Sequence, residues 1–509
     1  MRQRASAASP STSEPSTSRK GLGADRNRTS RGDYSRISEE ARLFKTPCCV
    51  GYYEVNGARS ARFRLPKGSG RERKRTNVTH RLKAPTRSLT AIATLVATVA
   101  FYLVALGETE KFNSPPAGAG IADNWAHFLG PNYNGVPPVA RFDPKEIRQV
   151  WSHELGPGCA SVTVVDGKLY TMGNLKDQDV VYCLDAKTGE EKWTFAYDCG
   201  LMPISYEGGP GSTPTVVNGC VYTLSRKGLV HCLDSRDGKK IWVASVEKWA
   251  PKGAWWGFND SPIVWEDRVF LNVTEKGLAL DRVTGEILWS GQDAVPAYAT
   301  ILPLPRGNPV LDRPALVVQT CQTVDIVDPD SGASLLGEAP DWAKRRSNCS
   351  AVTPAVFKNS LIFMHGQYGL SRVSLAGDKW VEGWLCKDLV YDEWDWFTFN
   401  QQVIHNGHLI ALAGRGTKES DRMMCVDLGT GAVKWQKPAP FGNFILAADK
   451  LITVTELGEI AWGALDGIEY HETFRKKLLS GRNWSHPVLH DGYLYVRSNG
   501  GMLTCFRFD

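Results

Sequence analysis

The stretch Ser212–Ser245, STPTVVNGCVYTLSRKGLVHCLDSRDGKKIWVAS, decides the fold of this chain. β-Branched, aromatic and leucine residues fill its short runs. Turn residues separate the runs, and the pair Asn218-Gly219 favours a primed hairpin turn. The pattern predicts four short antiparallel strands, at Thr213–Val217, Cys220–Ser225, Leu229–Asp234 and Lys239–Ser245. A single four-stranded unit leaves both faces exposed, so it needs neighbours to be stable.

The same pattern recurs seven more times, in Ala160–Phe195, Ser261–Ser290, Ala299–Gly337, Val352–Trp384, Gln401–Trp435, Phe444–Leu479 and Ser485–Phe508. Units of about 45 residues are typical of propeller blades. The last unit shows only three strands, and Arg148–Leu155, ahead of the first unit, has the pattern of the missing fourth. We therefore predict an all-β, eight-bladed β-propeller of four-stranded antiparallel blades. The N-terminal strand closes the ring and places Trp151 in the outer strand of the last blade.

Four units share a turn motif, CLDAKTGEEKW, CLDSRDGKKIW, LDRVTGEILW and VDLGTGAVKW. These segments resemble the pyrroloquinoline-quinone-type (PQQ-like) β-propeller repeat, found in quinoprotein dehydrogenases and in BamB-type outer-membrane assembly proteins. The resemblance covers Trp125–Asp509 and implies the propeller fold. Within the motif, Asp accepts backbone hydrogen bonds, Gly supplies a positive φ and Trp wedges between blades, so we interpret the motif as structural.

The residues ahead of the propeller, which we assign to 124–509, divide into three segments. Residues 1–87 hold 21 Lys and Arg against 7 Asp and Glu, which predicts a disordered basic tail. Residues 88–106 are uncharged and mostly apolar, which predicts one transmembrane helix. Since Arg81, Lys83 and Arg87 precede this helix, the tail is expected in the cytoplasm and the propeller in the periplasm. Residues 107–123 are interpreted as a flexible spacer.

Two alternatives stay open for this region. Residues 88–106 also fit the apolar part of a cleaved signal peptide, which would make the propeller a secreted protein. The basic prefix also fits a misassigned translation start, with initiation at Val78 or Leu82. The chain after residue 87 holds 39 Lys and Arg against 47 Asp and Glu, which argues against nucleic acid as a partner of the propeller. A closed ring predicts a monomer.

The loops that lead into the innermost strands are the candidate site, because they should converge on one rim of the propeller. They combine tryptophan with polar side chains, as a binding pocket requires. The candidate ligand-binding residues are Glu207, Trp255, Trp256, Asn259, Asp260, Asn348, Trp396, Asn400, Arg482, Asn483 and Trp484. The alternative is that these Trp and Asn side chains plug the central channel and satisfy backbone groups.

The resemblance implies two functions. The first is a membrane-anchored binding or scaffold module, BamB-like, for a protein partner or an extracellular polymer such as a carbohydrate, without a metal, a cofactor or a catalytic residue. The second is a PQQ-dependent oxidoreductase with PQQ and calcium, in which Asp260 or Asp395 acts as the base. The family's dehydrogenases carry adjacent cysteines that form a ring disulfide over the cofactor. The only adjacent pair here, Cys48-Cys49, lies outside the propeller, so we favour the scaffold.

Overall fold

A computed structural model of the chain describes residues 124–139, 141–204, 206–249, 256–292, 297–337, 339, 351–365, 369–386, 401–413, 421–466 and 468–509. The basic tail, the apolar segment 88–106 and the spacer 107–123 lie outside these ranges and stay predictions. None of the helices within the described ranges has the length and apolarity needed to span a bilayer.

The described strands form eight separate antiparallel sheets, the blades of a propeller. Seven sheets have four strands, whereas blade 4 has three and a single bridge from Val327 to Ser334 in the place of its fourth. One 3-10 helix, Glu247–Trp249, follows blade 2. In chain order the strands are β1 (Ile147–Glu154); in blade 1, β2 (Thr163–Val165), β3 (Lys168–Leu175), β4 (Gln178–Asp185) and β5 (Glu191–Asp198); in blade 2, β6 (Thr215–Val217), β7 (Cys220–Leu224), β8 (Leu229–Asp234) and β9 (Lys240–Ser245); in blade 3, β10 (Ile263–Trp265), β11 (Arg268–Leu271), β12 (Leu278–Asp281) and β13 (Ile287–Ser290); in blade 4, β14 (Leu302–Leu304), β15 (Ala315–Gln319) and β16 (Val324–Val327); in blade 5, β17 (Ala355–Phe357), β18 (Ser360–His365), β19 (Gly369–Ala376) and β20 (Lys379–Cys386); in blade 6, β21 (Val403–His405), β22 (His408–Ala413), β23 (Arg422–Asp427) and β24 (Val433–Pro438); in blade 7, β25 (Gly442–Ala447), β26 (Lys450–Thr455), β27 (Glu459–Asp466) and β28 (Glu469–Lys477); and in blade 8, β29 (Val488–His490), β30 (Tyr493–Arg497) and β31 (Met502–Phe508).

The ring closes as the sequence predicts. Strand β1 is the outermost strand of blade 8, in the order β1-β31-β30-β29. Trp151 lies opposite Cys505 in this antiparallel pair. The eight-blade count and the N-terminal closing strand are therefore confirmed.

Blade 2, which contains the stretch Ser212–Ser245, matches the predicted hairpins closely. Asn218 and Gly219 both have positive φ, 52° and 75°, as a type I′ turn requires. The first strand, β6, begins at Thr215 rather than at Thr213. It begins later because the backbone N–H of Thr213 donates sideways to Ser261 Oγ of the next blade (3.0 Å) and does not join the ladder of its own sheet.

Neighbouring blades are joined by the tryptophan of the turn motif. Trp242 of blade 2 donates its indole N–H to Arg282 O of blade 3 (3.1 Å), and its ring packs against Gly285. The Asp281 carboxylate accepts two backbone N–H groups of the same turn, those of Val283 and Thr284. The same ring-on-glycine contact recurs for Trp151 on Gly189, Trp193 on Gly238, Trp289 on Gly332 and Trp384 on Gly431. The structural interpretation of the motif is therefore confirmed.

A second set of contacts runs around the channel, where the innermost strands begin. Each link is a backbone N–H that donates to a side-chain oxygen of the next blade, as from Ser161 to Thr213 Oγ1 (3.0 Å). The series continues from Thr213 to Ser261, from Ser261 to Thr300, from Thr300 to Thr353 and from Thr353 to Gln401. On the other side, Ser161 Oγ donates to His486 O of the loop before blade 8 (2.6 Å). We call this series the channel belt.

Residues 124–139, the channel segment, cross the ring on its inner side. Trp125 exchanges two backbone hydrogen bonds with Val164 of blade 1, and Ala126 O accepts the N–H of Val216 of blade 2. Tyr133 packs against the apolar clusters that blades 3, 4 and 5 form with one another. Other residues of the segment contact blades 6, 7 and 8. No pattern in the sequence predicted that this segment would occupy the channel.

Replacing Gly431 by alanine should destabilise the propeller more than replacing Gly407 does. Both glycines have φ near +80°, so both variants carry the same backbone penalty. A Cβ at Gly431 would lie 2.7 Å from the Trp384 ring, whereas no atom of the described residues lies within 4 Å of one at Gly407. We expect the free energy of unfolding in urea to fall by ~1–3 kcal/mol more for Gly431→Ala. Equal losses would show that the tryptophan contact does not constrain the turn.

Thr213→Val should destabilise the fold more than Thr213→Ser. Valine keeps the shape of threonine but removes the oxygen that accepts the buried N–H of Ser161. An unpaired buried N–H costs ~1–3 kcal/mol, whereas serine keeps the acceptor and loses only a methyl group, ~0.8 kcal/mol. Thermal unfolding monitored by circular dichroism measures both variants, and a serine variant no better than valine contradicts the channel belt.

Candidate functional site

An arc of aromatic side chains lies on the loops that enter the innermost strands. The rings of Tyr206 and Trp484 stack with centroids 6.5 Å apart and planes 28° from parallel. On the other side of the loop that carries Tyr206, Trp256 donates its indole N–H to Ile204 O (2.7 Å). Trp256 also meets Tyr298 edge to face at 5.5 Å. We call Tyr206, Trp256, Tyr298 and Trp484 the rim arc.

One end of the rim arc carries charge. The Arg482 guanidinium lies 4.7 Å from the centre of the Trp484 ring and 3.4 Å from Glu456 Oε1. Its other carboxylate neighbour, Glu207, is 4.0 Å away and accepts a hydrogen bond from Asn499 (3.2 Å). Trp484 donates its indole N–H to Glu456 (3.0 Å). Two carboxylates thus face one partly exposed guanidinium at this end of the rim arc.

The three charged side chains are only partly buried. The exposed fraction is 37% for Arg482, 33% for Glu207 and 18% for Glu456. Burial is the main influence on Glu456 and raises the pKa of its carboxyl group, while the hydrogen bond from Trp484 and the charge of Arg482 act in the opposite direction. These groups are therefore accessible to a partner and already held in place by their neighbours.

Apolar side chains extend this surface. Leu201 and Ile204, on the loop that carries Tyr206, are 37% and 40% exposed. Large apolar residues that stay exposed beside aromatic and arginine side chains are typical of protein-binding surfaces.

A buried ion pair holds the loop that carries Tyr206. Arg226 and Asp179 lie 2.8 Å apart with no exposed side-chain surface. The same guanidinium donates to Cys199 O (3.3 Å) at the start of the loop and to Gly208 O near its end. Asn174 donates a further hydrogen bond to Asp179 (2.8 Å). Because both ends of the loop bond to one buried cation, the exposed residues between them are presented on a fixed frame.

The structure brings four of the predicted site residues onto this surface, Glu207, Trp256, Arg482 and Trp484. Asn259 and Asn483 instead satisfy backbone groups, as the alternative interpretation expects of such residues. Asn259 donates to Trp256 O (2.8 Å), and Asn483 donates to Glu456 O (3.1 Å) and Gly481 O (3.0 Å). The remaining candidates, Trp255, Asn348, Asp395, Trp396 and Asn400, lie outside the described residues.

Asp260 is placed in the interior and is not part of the exposed surface. Its side chain is 1% exposed, and Oδ2 accepts the backbone N–H of Asn272 (2.7 Å). Burial raises the pKa of Asp260 to about 7, although the hydrogen bond from Asn272 acts in the opposite direction. Within the described ranges, no group of three or more His, Cys, Asp or Glu side chains is arranged to hold a metal ion.

Sequence reasoning missed Tyr206, Tyr298 and Glu456 as members of the site. Tyr206 could have been found, since it adjoins Glu207 in a loop already selected. Glu456 lies between β26 and β27, in a unit that lacks the shared turn motif, so no motif marks it. Its role depends on contact with Arg482, which comes from a separate loop.

A family model described as outer membrane protein assembly factor BamB matches residues 138–202 and 203–437. Among solved structures, BamB from Moraxella catarrhalis superimposes with a TM-score of 0.51 at 14% identity, over 72% of this chain and 98% of that one. Quinohemoprotein alcohol dehydrogenase from Comamonas testosteroni gives a TM-score of 0.58 at 13% identity, over 77% of this chain and 81% of that one. At these identities the likeness shows the fold alone.

Two sequence relatives match shorter stretches. Quinohemoprotein alcohol dehydrogenase ADH-IIG from Pseudomonas putida is 35% identical over 86 residues, 16% of this chain and 12% of that protein. 1-Butanol dehydrogenase (cytochrome c) from Thauera butanivorans is 28% identical over 123 residues, 22% of this chain and 17% of that protein. This chain thus spans less than a fifth of either relative. The family model, in contrast, matches more than half of the chain, and the protein therefore belongs to the BamB-type family of PQQ-like propellers.

Proposed function

We propose that the protein is a binding scaffold that holds a protein partner with its rim arc. The observation that supports this is the composition of the surface, where Trp484, Tyr206 and Arg482 stand beside exposed Leu201 and Ile204. Tryptophan, tyrosine and arginine dominate the binding energy of protein interfaces. The buried ion pair beneath the loop reduces the ordering cost of binding, because the surface is formed in advance.

The charged side chains beside the rim arc indicate the chemistry of the partner. Glu207 and Glu456 outnumber Arg482, so a lysine or arginine of the partner would be attracted to this end. The other end, with Ile204 and Trp256, suits an apolar side chain. The partner we propose presents a basic residue next to an apolar one.

We also propose a location for the scaffold. Residues 88–106 would anchor the chain in the membrane by one helix, with the tail in the cytoplasm and the propeller in the periplasm. A cleaved signal peptide, which releases the propeller, is the alternative. An extracellular polymer is the alternative class of ligand for the rim arc, since aromatic rings also bind carbohydrate.

Site-specific photo-crosslinking in the source organism tests the proposal. A photoreactive residue at Ile204 should give one discrete protein adduct, whereas the same residue at Val243, 45% exposed on the outer strand of blade 2, should not. Adding Arg482→Ala should weaken the adduct by ~10-fold or more, as loss of an interface hot spot does.

Equal adducts from both positions, or an adduct that survives Arg482→Ala, contradict the proposal. Thermal unfolding of Arg482→Ala serves as the control, because a partly exposed side chain should leave the melting temperature close to that of the wild type.

The alternative function is a PQQ-dependent oxidoreductase, and the matched segments of two dehydrogenases favour it. The described residues do not fit this cofactor. Of the two candidate bases, only Asp260 lies within the described residues. It is buried, and its Oδ2 already accepts a hydrogen bond from the backbone N–H of Asn272. The described residues also offer no group of three or more His, Cys, Asp or Glu side chains that could hold calcium. We therefore derive no catalytic step through the quinone.

Asp260→Asn should change the pH dependence of stability. The pKa of Asp260 is about 7 in the folded protein against an ordinary value of 3.8, so its contribution to stability is complete below about pH 4 and lost as the pH rises through 7. Asparagine cannot ionise, so only the wild type should lose this stability. The free energy of unfolding of the variant minus that of the wild type should therefore increase from pH 4 to pH 8, by up to ~4 kcal/mol. Urea unfolding at both pH values measures this, and a constant difference contradicts the burial of an ionisable carboxyl group.

A further inference from the structure

The channel segment leaves part of the channel empty. A cavity of about 190 Å³ lies between this segment and the innermost strands of blades 4, 5 and 6, which are β14, β17 and β21. At about 30 Å³ for each water molecule, this is room for roughly six waters. The cavity is separate from the rim arc, so a ligand held in it is independent of the proposed function.

The wall formed by the channel segment is strained. Leu129 and Tyr133 both line the cavity, and both have positive φ, 66° and 54°, which side-chain-bearing residues rarely adopt. The Tyr133 ring is held by a parallel stack on His127, with centroids 4.1 Å apart. Strain of this kind persists where the surroundings impose it, and it is concentrated at ligand clamps and active sites.

The polar groups of the cavity are neutral. Among the described residues, the lining includes no Asp, Glu, Lys, Arg or His, and its polar side chains are amides and hydroxyls. Gln402 is 5% exposed and donates Nε2–H to Thr353 O (3.1 Å), while its buried Oε1 has no hydrogen-bond partner among the described residues. A buried acceptor without a partner is costly unless a ligand or water supplies a donor. A charged ligand would be desolvated here without a compensating charge.

The remaining wall is apolar, with Leu129, Leu302 and Ile404 among its residues. A compact molecule with one apolar face and hydroxyl groups at its edge satisfies both kinds of wall. We propose that this cavity binds a small neutral hydroxylated ring, of the kind a single sugar unit presents. On binding, the Gln402 amide would turn so that Oε1, closed off from the cavity in the unliganded protein, accepts from a hydroxyl group of the ligand. The ring face would pack on the apolar side chains.

Saturation-transfer NMR on the full-length protein tests this site with three probes of the same ring shape. D-Glucose is neutral, D-glucuronate is negative and D-glucosamine is positive at pH 7. We expect saturable transfer to glucose and at least ~10-fold weaker binding of both charged rings. Equal binding of the charged rings, or the absence of saturable transfer to glucose, overturns the proposal.

Two variants locate the binding. Ala355→Leu fills the cavity from β17, and it should abolish transfer to glucose. Ala376→Leu, the same substitution at an exposed position of the same blade, should leave transfer unchanged. Gln402→Leu removes the free acceptor and should weaken glucose binding by ~10-fold, the effect of about 1.4 kcal/mol.

A different pattern of losses assigns the sugar elsewhere. Transfer that persists in Ala355→Leu and disappears in Trp484→Ala would place glucose on the rim arc, which overturns the cavity as its site. The cavity is supported if Ala355→Leu loses transfer to glucose while its melting temperature is unchanged. Ala376→Leu should still show saturable transfer to glucose.

Discussion

The antiparallel pairing of β1 with β31 is the constraint on which the rest of the structure depends. It joins Ile147 to Phe508, so the two ends of the propeller share one sheet and neither the first nor the last blade leaves a face uncovered. The rim arc depends on it as well. Tyr206 comes from the loop after the first blade and Trp484 from the loop before the last, yet their rings stack. Only a closed ring brings these two loops together.

Two sets of contacts between blades hold this ring at different distances from its axis. Near the outside, indole rings such as Trp242 pack on a glycine turn of the next blade. Near the channel, the belt that starts at Ser161 and Thr213 passes hydrogen bonds from blade to blade. Because several blades are held at both distances from the axis, the loops above can carry exposed and charged side chains without loss of the frame. Loops on a rigid scaffold are where binding residues are usually found.

The fold could be predicted because its determinants are local and repeated. Trp242 and Gly285 belong to a motif that returns in most blades, so each copy supports the interpretation of the others. The site could be predicted only in part. Its residue type and its loop make Asn483 a candidate for ligand binding, yet its amide donates to a backbone carbonyl. Glu456 and Tyr133 carry no motif, because their contacts come from blades that are distant in sequence.

The position of the channel segment also determines how the protein bears mechanical load. This segment lies directly ahead of the seam between β1 and β31. Tension applied from the N-terminal side of residue 124 first meets the two hydrogen bonds between Asn124 and Asp166, and then the two between Trp125 and Val164. The force thus passes into blade 1, through the inside of the ring, before it reaches the seam. A propeller tethered by its N-terminus would therefore resist pulling from its centre and keep its closing strand unloaded.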